Sequence, residues 1–148
     1  MHWYTKSFKE LTANELYAVL QLRNEVFVVE QNCLYQDADN YDQEAFHVMG
    51  WNDALLAAYC RLLPPGIKYK EWAIGRVIIS PKVRKTGLGR ELTKRAIDVV
   101  RERQGQNIRI SAQAYLERFY KDYGFQLVHG PYDEVGIPHI EMLLDLTA

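Results

Sequence analysis

The sequence predicts a mixed α/β fold for a single domain over residues 1–148, with a mostly antiparallel central sheet that contains one parallel strand pair. Three observations predict this fold class: a hairpin in the first half, a strand–helix–strand unit in the middle, and a pair of closing strands. A short turn joins antiparallel strands, whereas a crossover helix joins parallel ones, so one sheet contains both kinds of pair. Helices are expected on both faces of that sheet.

The first half of the chain predicts a strand, a capped helix and a hairpin. Thr12-Ala13-Asn14-Glu15 is a capping box, and the apolar residues after it repeat at helical spacing to about Phe27. A polar loop then runs to Glu44, and loops of this length are uncommon unless they bind something. Asn52-Asp53 is a favourable hairpin turn. The predicted strands of this half are an opening one around Trp3 and Tyr4, Phe46 to Trp51, and Ala54 to Leu63.

The second half predicts a crossover unit followed by a hairpin. The strand Glu71 to Ile79 ends before Pro81, which cannot donate a hydrogen bond to a sheet. A helical pattern then runs from Leu88 to about Arg103, and a further strand follows it. The remaining predicted elements are the strand Ile108 to Ala112, a short helix ending at Gly124, and two closing strands, Phe125 to Val128 and Ile137 to Leu144, around a turn at Gly130-Pro131.

A basic loop containing two glycines connects the strand to the long helix. Gly87 and Gly89 carry no side chain where the loop meets the helix, so a ligand can approach the backbone closely. The unpaired N–H groups of a first helical turn, at the positive end of the helix dipole, bind anions. Arg84, Lys85 and Arg90 add full positive charges. The loop therefore predicts a phosphate site, and a diphosphate more than a single anion.

Two familiar phosphate motifs do not fit this loop. A P-loop needs Gly-Lys-Ser/Thr at its end, but Lys85-Thr86 follows Arg84 and no glycine lies at the required distance before it. A dinucleotide fingerprint needs three glycines directly after a strand, whereas Leu92 takes the third place here and a long loop intervenes. The remaining alternative is an ordinary loop-to-helix connection without a ligand.

Composition excludes several classes of protein. Apolar residues make up 48% and charged residues 25%, and no apolar run approaches the roughly 20 residues of a membrane span, so we expect no membrane association. Cys33 and Cys60 provide no disulfide framework, and we expect a reducing, cytoplasmic location. Asp37-x-Asp39 lacks the glycine that a calcium loop has at its sixth position, and we expect no metal.

The charges are segregated along the chain. Residues 24–60 carry seven acidic side chains and no lysine or arginine, whereas residues 76–109 carry ten basic and three acidic ones. Two fields of opposite sign suggest an anionic cofactor at one place and a cationic substrate at another. The alternative is that the patches only solubilise the protein or pair it into a homodimer. Nucleic acid is disfavoured as a partner, because the basic excess is modest and the overall pI is acidic.

Three stretches of the chain resemble the GNAT superfamily of acyl-CoA N-acyltransferases. Arg84-x-x-Gly87-x-Gly89, after a Val-rich strand, is similar to the pyrophosphate-binding segment of that family. Phe119-Tyr120 followed by Gly124-Phe125 is similar to a second family motif, on the helix after the next strand. The first half is similar to the bacterial ElaA-like subgroup, on the segment Leu22 to Gln31 followed by Cys33, Tyr35, Asp37, Asp39, Asp42 and His47.

The resemblance implies a GNAT fold, in which the parallel strand pair splays apart, and an acetyl-CoA-dependent N-acetyltransferase. Backbone groups of Val77, Ile78 and Ile79 would lie along the pantetheine arm and hold the thioester carbonyl. Gln113 stands where many relatives place an asparagine near the pantetheine. Backbone N–H groups of one continuous segment would hold the pyrophosphate: Arg84, Lys85, Thr86, Gly87, Leu88, Gly89 and Arg90.

Direct transfer from a thioester to an amine needs a neutral amine, a polarised carbonyl and a protonated leaving thiolate, but no metal and no covalent intermediate. The resemblance places the Tyr120 hydroxyl beside the sulfur as the general acid; the alternative is a core aromatic. Glu30 and His47 are the candidate proton acceptors. A histidine at the start of a strand is more often structural, and Glu30 is equally suited to a cap or to a pair with Arg23.

The polar loop that runs to Glu44 carries several aspartates, and this acidic loop supplies the candidates for the acceptor site. We expect Asp37, Asp39 and Asp42, together with Tyr35, to bind a cationic small molecule or a lysine-like amine. The alternative function is a non-catalytic acyl-CoA-binding or sensing domain. A thiol nucleophile at Cys33 is disfavoured, because nothing in the sequence brings a third orienting group.

Overall fold

Seven strands form one sheet in the computed structural model, which describes residues 1–147. They are β1 (His2–Ser7), β2 (Phe46–Asn52), β3 (Leu55–Leu63), β4 (Trp72–Ile79), β5 (Asn107–Gln113), β6 (Gln126–Glu134) and β7 (Ile137–Asp145). Their order across the sheet is β1-β2-β3-β4-β5-β7-β6. Neighbouring strands are antiparallel except β4 and β5, which are parallel, so the predicted mixed sheet is confirmed.

Three α-helices cover the two faces of the sheet: α1 (Ala13–Arg23), α2 (Leu88–Glu102) and α3 (Glu117–Lys121). α1 packs Val19 and Leu22 against one face, in a cluster that includes Tyr59 of β3. α2 and α3 pack against the opposite face, where Leu92 shares a cluster with Cys60. Successive residues of β3 therefore point into two different cores, as expected for a strand buried on both sides. In residues 1–147, no helix has the length and apolar character that crossing a bilayer requires.

The helix that follows Thr12 changes character after eleven residues. The predicted capping box is present: Glu15 N–H donates to Thr12 Oγ1 at 3.1 Å, and Thr12 N–H donates to Glu15 Oε1 at 2.8 Å. From Asn24 to Glu30 the backbone is π-helical. The prediction of an α-helix to Phe27 is therefore wrong in its last turn, because apolar spacing over so few residues does not separate the two helix types. Single π turns are frequent at functional sites.

The last two strands form a longer hairpin than the sequence predicts. Gly130-Pro131, predicted as the turn, lies within β6, and the register between β6 and β7 shifts around it. The chain reverses instead at Val135-Gly136, where Gly136 has φ of +79°, a value that favours glycine. The prediction is wrong here because glycine and proline mark bulges and strand irregularities as well as turns.

Candidate active site

A cleft opens where β4 and β5 separate. The two parallel strands pair at only two positions, the second of which joins Ala73 to Arg109, and they diverge beyond that point. The cleft has a volume of about 790 Å³, and its walls include Ile74–Ile79 of β4 and Ile110–Gln113 of β5. β4 pairs with β3 on its other side. The backbone groups of β4 that point away from β3 are therefore available to an extended ligand that carries amides.

Arg76 forms a bulge in the cleft wall. Its φ is +51°, and the register between β3 and β4 shifts at this point, between Tyr59 and Arg61. A non-glycine residue with positive φ is uncommon, and bulges next to active sites commonly redirect a side chain. The Arg76 guanidinium is directed to the loop after α1, where its Nε lies 2.9 Å from Asp37 Oδ1. The bulge thus connects the cleft to the acidic loop.

The loop that contains the two glycines joins α2 as predicted. Gly87 has φ of +81°, and α2 begins at the next residue. The N–H of Glu91 donates to the Gly87 carbonyl at 3.3 Å, so the earlier N–H groups have no acceptor within the helix. A pocket of about 430 Å³ lies at this helix end, and its walls include Arg84–Arg90. A side chain at Gly89 would meet no protein atom within 4 Å, so the backbone there faces open space.

Tyr120 lies at the junction of the cleft and the core. Its ring makes edge-on contacts with Phe119 and Phe125, at 5.1 and 5.6 Å between ring centroids, and the residue is only 6% exposed. Tyr120 also lines the cleft. Burial raises the pKa of its hydroxyl, so the phenol keeps its proton at neutral pH. The residue is therefore a core aromatic that also presents a protonated group to the cleft.

The three aspartates of the loop after α1 are paired with buried arginines. Arg23, in the last turn of α1, lies 2.7 Å from both Asp37 Oδ2 and Asp42 Oδ1. Arg61, on β3, lies 3.0 Å from Asp42 Oδ1 and 2.5 Å from Asp39 Oδ2. The side chains of the two arginines are 0% and 2% exposed. These ion pairs join the loop to both α1 and the sheet.

The ion pairs correct the expectation that the loop presents free negative charge to an acceptor. Arg76 is a third cation in the network, so three aspartates face three arginines. Partial burial acts to raise the pKa of Asp39, but the hydrogen bonds and charge of Arg61, together with the Tyr41 N–H and the charge of Arg76, outweigh that effect and lower the pKa to about 2. Asp39 lines the cleft with its charge already shared, whereas Asp37 and Asp42 are buried away from it. The aspartates therefore anchor the loop.

His47 is fully buried beneath the same loop. Its Nε2 lies 3.0 Å from the Asp42 carbonyl oxygen, and its Nδ1 lies 2.7 Å from the Tyr59 hydroxyl. A carbonyl can only accept a hydrogen bond, so Nε2 donates and Nδ1 accepts from the hydroxyl. Burial lowers the pKa of His47 and so favours this neutral ring. Because both nitrogens are engaged away from the cleft, the expected role of His47 as proton acceptor does not fit its position.

Glu30 reaches the cleft wall at the end of the π-helical segment, where it is held by Arg84. Nη1 and Nη2 of Arg84 donate to the two carboxylate oxygens at 2.7 and 2.6 Å. These hydrogen bonds lower the pKa of Glu30, and a carboxylate with a lowered pKa is a weaker base. Glu30 therefore links the π-helical segment to the glycine loop, Arg84–Arg90. This position suits it less well to the role of proton acceptor.

Tyr35 and Gln113, the other predicted site residues, both line the cleft. The Tyr35 hydroxyl donates to Asp37 Oδ1 at 3.4 Å, and the Arg76 guanidinium lies 5.9 Å from the centre of its ring. Gln113 is the last residue of β5. No cluster of three metal-ligating side chains occurs in the part of the chain that the structure describes.

The family model described as the acetyltransferase (GNAT) domain matches residues 9–146, which is nearly the whole chain. The chain belongs to the GNAT family. The fold expected from the resemblance is confirmed.

Similar proteins also place this GNAT chain near ElaA. Protein ElaA of Escherichia coli K12 is 39% identical over 145 residues, which cover 96% of this chain and 95% of that protein. A UPF0039 protein of Synechocystis sp. is 42% identical over 145 residues, with coverage of 97% and 94%. The crystal structure of an acyl-CoA N-acyltransferase from Pseudomonas aeruginosa has a TM-score of 0.93 at 44% identity, covering 97% of this chain and 98% of that one. The ElaA-like resemblance is therefore confirmed.

A more distant GNAT acetyltransferase, from Elizabethkingia anophelis, was solved with acetyl-CoA bound. Its TM-score is 0.66 at 15% identity, covering 98% of this chain and 97% of that one. At that identity the likeness shows the fold alone.

Sequence reasoning missed two kinds of residue in this GNAT domain. The first is the set of arginines that neutralise the acidic loop, Arg23, Arg61 and Arg76, because nothing local marks an arginine as the partner of a distant aspartate. The second is His139, which lines the cleft from β7. A signal for it does exist: in β7 the residues Ile140, Met142 and Leu144 are buried, so His139 is on the opposite face of the strand.

Proposed function

We propose that this GNAT chain is an acetyl-CoA-dependent N-acetyltransferase that transfers the acetyl group directly to an amine. One observation carries the proposal: β4 and β5 separate directly beside the open N-terminus of α2. The two features form one path for a ligand that has a diphosphate at one end and a thioester at the other. The diphosphate would bind the N–H groups of Arg84–Arg90, and the pantetheine arm would lie along Val77–Ile79.

The backbone supplies most of the proposed cofactor contacts. Anions are stabilised at a helix N-terminus by unpaired N–H groups and by the helix dipole. The amides of the pantetheine arm can hydrogen-bond to the free edge of β4 as an added strand would. Gln113, at the end of β5, is available as a polar contact on the other wall of the cleft. Such a ligand fits a cleft whose two walls come from strands that no longer pair.

The proposed chemistry uses Tyr120 as the proton donor. The amine nitrogen attacks the thioester carbonyl carbon, a C–N bond forms, and the C–S bond breaks. The Tyr120 hydroxyl gives its proton to the departing sulfur, the attacking nitrogen loses a proton to solvent as the amide forms, and solvent restores the proton of Tyr120. A thiolate of ordinary pKa, about 8.5, accepts a proton readily at neutral pH. The Tyr120 hydroxyl is protonated at neutral pH, as this role requires, and burial raises its pKa further.

The proposed acceptor is a primary amine, either a small molecule or a lysine-like side chain. Its nitrogen is positively charged in solution and must lose a proton before it attacks. Asp39 is the loop aspartate that lines the cleft, but Arg61 and Arg76 already share its charge. We therefore rest the proposal on the amine and not on additional positive charge in the acceptor. We also propose a cytoplasmic location, supported by two free thiols, Cys33 and Cys60.

Release of free thiol from acetyl-CoA, measured across a panel of small amines and lysine-containing peptides, tests the proposal. We expect at least one amine to accelerate thiol release by the wild-type protein, with the acetylated amine detected by mass spectrometry. Calorimetry with acetyl-CoA accompanies the panel. Binding without amine-dependent release would instead support a non-catalytic acyl-CoA-binding domain, and the absence of both would overturn the assignment of the cleft.

A further inference from the structure

We infer that His139 accepts the proton that the acceptor amine loses, an inference that rests on the proposed N-acetyltransferase activity. His139 is on β7, and its side chain is 13% exposed. It lines the same cleft as Tyr120 and Ile78. The two proton acceptors that the sequence suggests are engaged elsewhere, since His47 is buried under the acidic loop and Glu30 is bound to Arg84.

The sheet register places His139 next to the opening between the strands. His139 pairs with Gln113, the residue at which β5 ends, and Gln113 forms part of the cleft wall. Its neighbour Ile140 points into the core that contains α2 and α3. Since successive side chains of a strand point to opposite faces, the His139 ring is on the face away from those helices. The packed residues of α1 contact β2, β3 and β4. They do not cover the face of β7 that carries the His139 ring, and that face borders the cleft.

The hydrogen bonds of the ring determine which nitrogen can accept a proton. Nδ1 of His139 lies 2.9 Å from the carbonyl oxygen of Ile137. Because a carbonyl only accepts, Nδ1 carries the hydrogen, and Nε2 of the neutral ring has the free lone pair. Nε2 lies 3.5 Å from Glu134 Oε2. A proton taken up at Nε2 would therefore form an ion pair with a carboxylate that is already in place.

Other titratable groups surround this pair. Tyr132 of β6 pairs with His139 in the register, at 6.2 Å between ring centroids. Glu141 is two residues along β7, on the same face. The loop between β3 and β4 contributes Lys68 and Tyr69 to the same cleft. Both signs of charge are thus present, and Glu134 is the group within reach of Nε2.

The proposed step balances in atoms and charge. The ammonium form of the acceptor gives one proton to Nε2 of His139, through a bridging water where the amine is not in direct contact. The neutral nitrogen then attacks the thioester carbon, the C–S bond breaks, and Tyr120 protonates the leaving sulfur. The nitrogen loses its second proton as the amide forms, and that proton restores the Tyr120 hydroxyl by way of solvent. His139 returns its proton to solvent. The net products are the amide, CoA with a free thiol, and one proton.

The test compares His139→Asn with two further variants, Glu134→Gln and the control His129→Asn. Asparagine keeps an N–H donor near the position of Nδ1 and removes the lone pair of Nε2. His129 is an exposed histidine on the neighbouring strand, and it stacks on Tyr132 at 5.4 Å without lining the cleft. Thiol release is measured from about pH 5 to 9, with an amine that the wild-type protein uses, and CoA affinity is measured by calorimetry.

We expect His139→Asn to lower kcat by about 100-fold or more near neutral pH, with CoA affinity within about twofold of wild type. The deficit should shrink as pH rises, because the amine then loses its proton to solvent. Glu134→Gln should lower kcat less, and His129→Asn should match the wild type. If the wild-type protein is active and His139→Asn keeps both its pH profile and a kcat within about threefold of wild type, the inference is overturned and the proposed function stands. A wild-type protein without amine-dependent thiol release would overturn the proposed function, and this inference with it.

Discussion

Two regions of the cleft are built in different ways: the one proposed to bind the cofactor, here the cofactor side, and the one proposed to bind the amine, here the acceptor side. The cofactor side consists of one continuous segment, from Val77 to Arg90, and presents mainly backbone groups: a free strand edge and an open helix N-terminus. The acceptor side consists of side chains from the π-helical segment after α1, the acidic loop and β3 to β7, held by ion pairs such as Arg61 with Asp39. Backbone groups bind a ligand whatever residues surround them, whereas a side-chain site depends on which partners meet.

The charges of the two sides show the same difference. At the glycine loop Lys85 has no carboxylate within 4.0 Å in the part of the chain that the structure describes, whereas the aspartates of the acidic loop are each bound to arginine. Arg84 and Arg90 of the same loop are paired, with Glu30 and Asp122, but through exposed side chains. The basic segment therefore keeps part of its charge at the surface, whereas each aspartate of the acidic loop has its charge matched by arginine. The acidic loop acts as part of the scaffold of the acceptor side.

The largest expected effect is the loss of CoA binding in Gly89→Asp. An aspartate here places a carboxylate at the helix N-terminus where the diphosphate is proposed to bind, and we expect the affinity to fall by more than about 100-fold. The fold should be retained, because Gly89 has open space around it and an acidic residue in a first helical turn is favourable. Calorimetry with CoA measures the effect.

Gly89→Asn is the matched control for that variant, since it has the same size without the charge. We expect it to retain most of the affinity. Unchanged CoA affinity in a folded Gly89→Asp protein would show that the cofactor side is not where the diphosphate binds.

The next largest expected effect is a loss of catalysis in Tyr120→Phe. This variant keeps the ring and its contacts with Phe119 and Phe125. Without the hydroxyl, kcat should fall by about 10²- to 10⁴-fold while CoA affinity is unchanged. Tyr123→Phe is the control, because that hydroxyl donates to the Arg90 carbonyl at 3.0 Å outside the cleft. Turnover of Tyr120→Phe within about threefold of wild type would leave Tyr120 a purely structural residue.

The same contrast explains how far the sequence could predict this molecule. The hairpin at Asn52, the capping box at Thr12 and the glycine loop depend on residues close together in the chain, and the structure contains all three. Arg61 and Arg76 bind Asp39 from 22 and 37 residues away. Which cation meets which carboxylate is decided only when the sheet has formed, so the sequence could not predict that the charge of the acidic loop is paired. The turn predicted at Gly130-Pro131 is wrong for a different reason, because glycine and proline also mark strand irregularities.

Removal of one carboxylate from the ion-pair network should reduce stability by about 3–5 kcal/mol, the usual result of leaving a buried charge without its partner. Asp42→Asn is the sharpest choice, because Asp42 binds both Arg23 and Arg61. Urea unfolding measures the loss, and CoA affinity of the folded variant should be unchanged. Asp53→Asn is the control: it lies exposed in the hairpin turn with φ of +52°, which asparagine tolerates.

A loss below about 1 kcal/mol in Asp42→Asn would mean that the network costs as much to bury as it returns. A large loss of CoA affinity in the same variant would mean that the two sides of the cleft are coupled, and that their different construction does not make them independent.

The smallest expected effect concerns the contact that joins the two sides, the ion pair of Glu30 with Arg84. Both side chains are about 40% exposed, and exposed pairs contribute little to stability. Glu30→Gln should therefore leave unfolding by urea nearly unchanged. It also frees the Arg84 guanidinium, which lies beside the proposed diphosphate site. We expect CoA to bind more tightly, by no more than about fivefold, at low ionic strength.

Two measurements decide what that ion pair does. The gain in CoA affinity should disappear at about 0.5 M salt, because the Debye length then becomes comparable to a single contact. The kcat of Glu30→Gln should stay within about threefold of wild type, since a carboxylate whose pKa is lowered by Arg84 is a weak base. If kcat instead falls by about 100-fold and the variant still binds CoA, Glu30 is the proton acceptor. Catalysis would then depend on a residue bound to the glycine loop. The cofactor side would in that case contribute to removing the proton from the acceptor amine, and the two sides would not have separate roles.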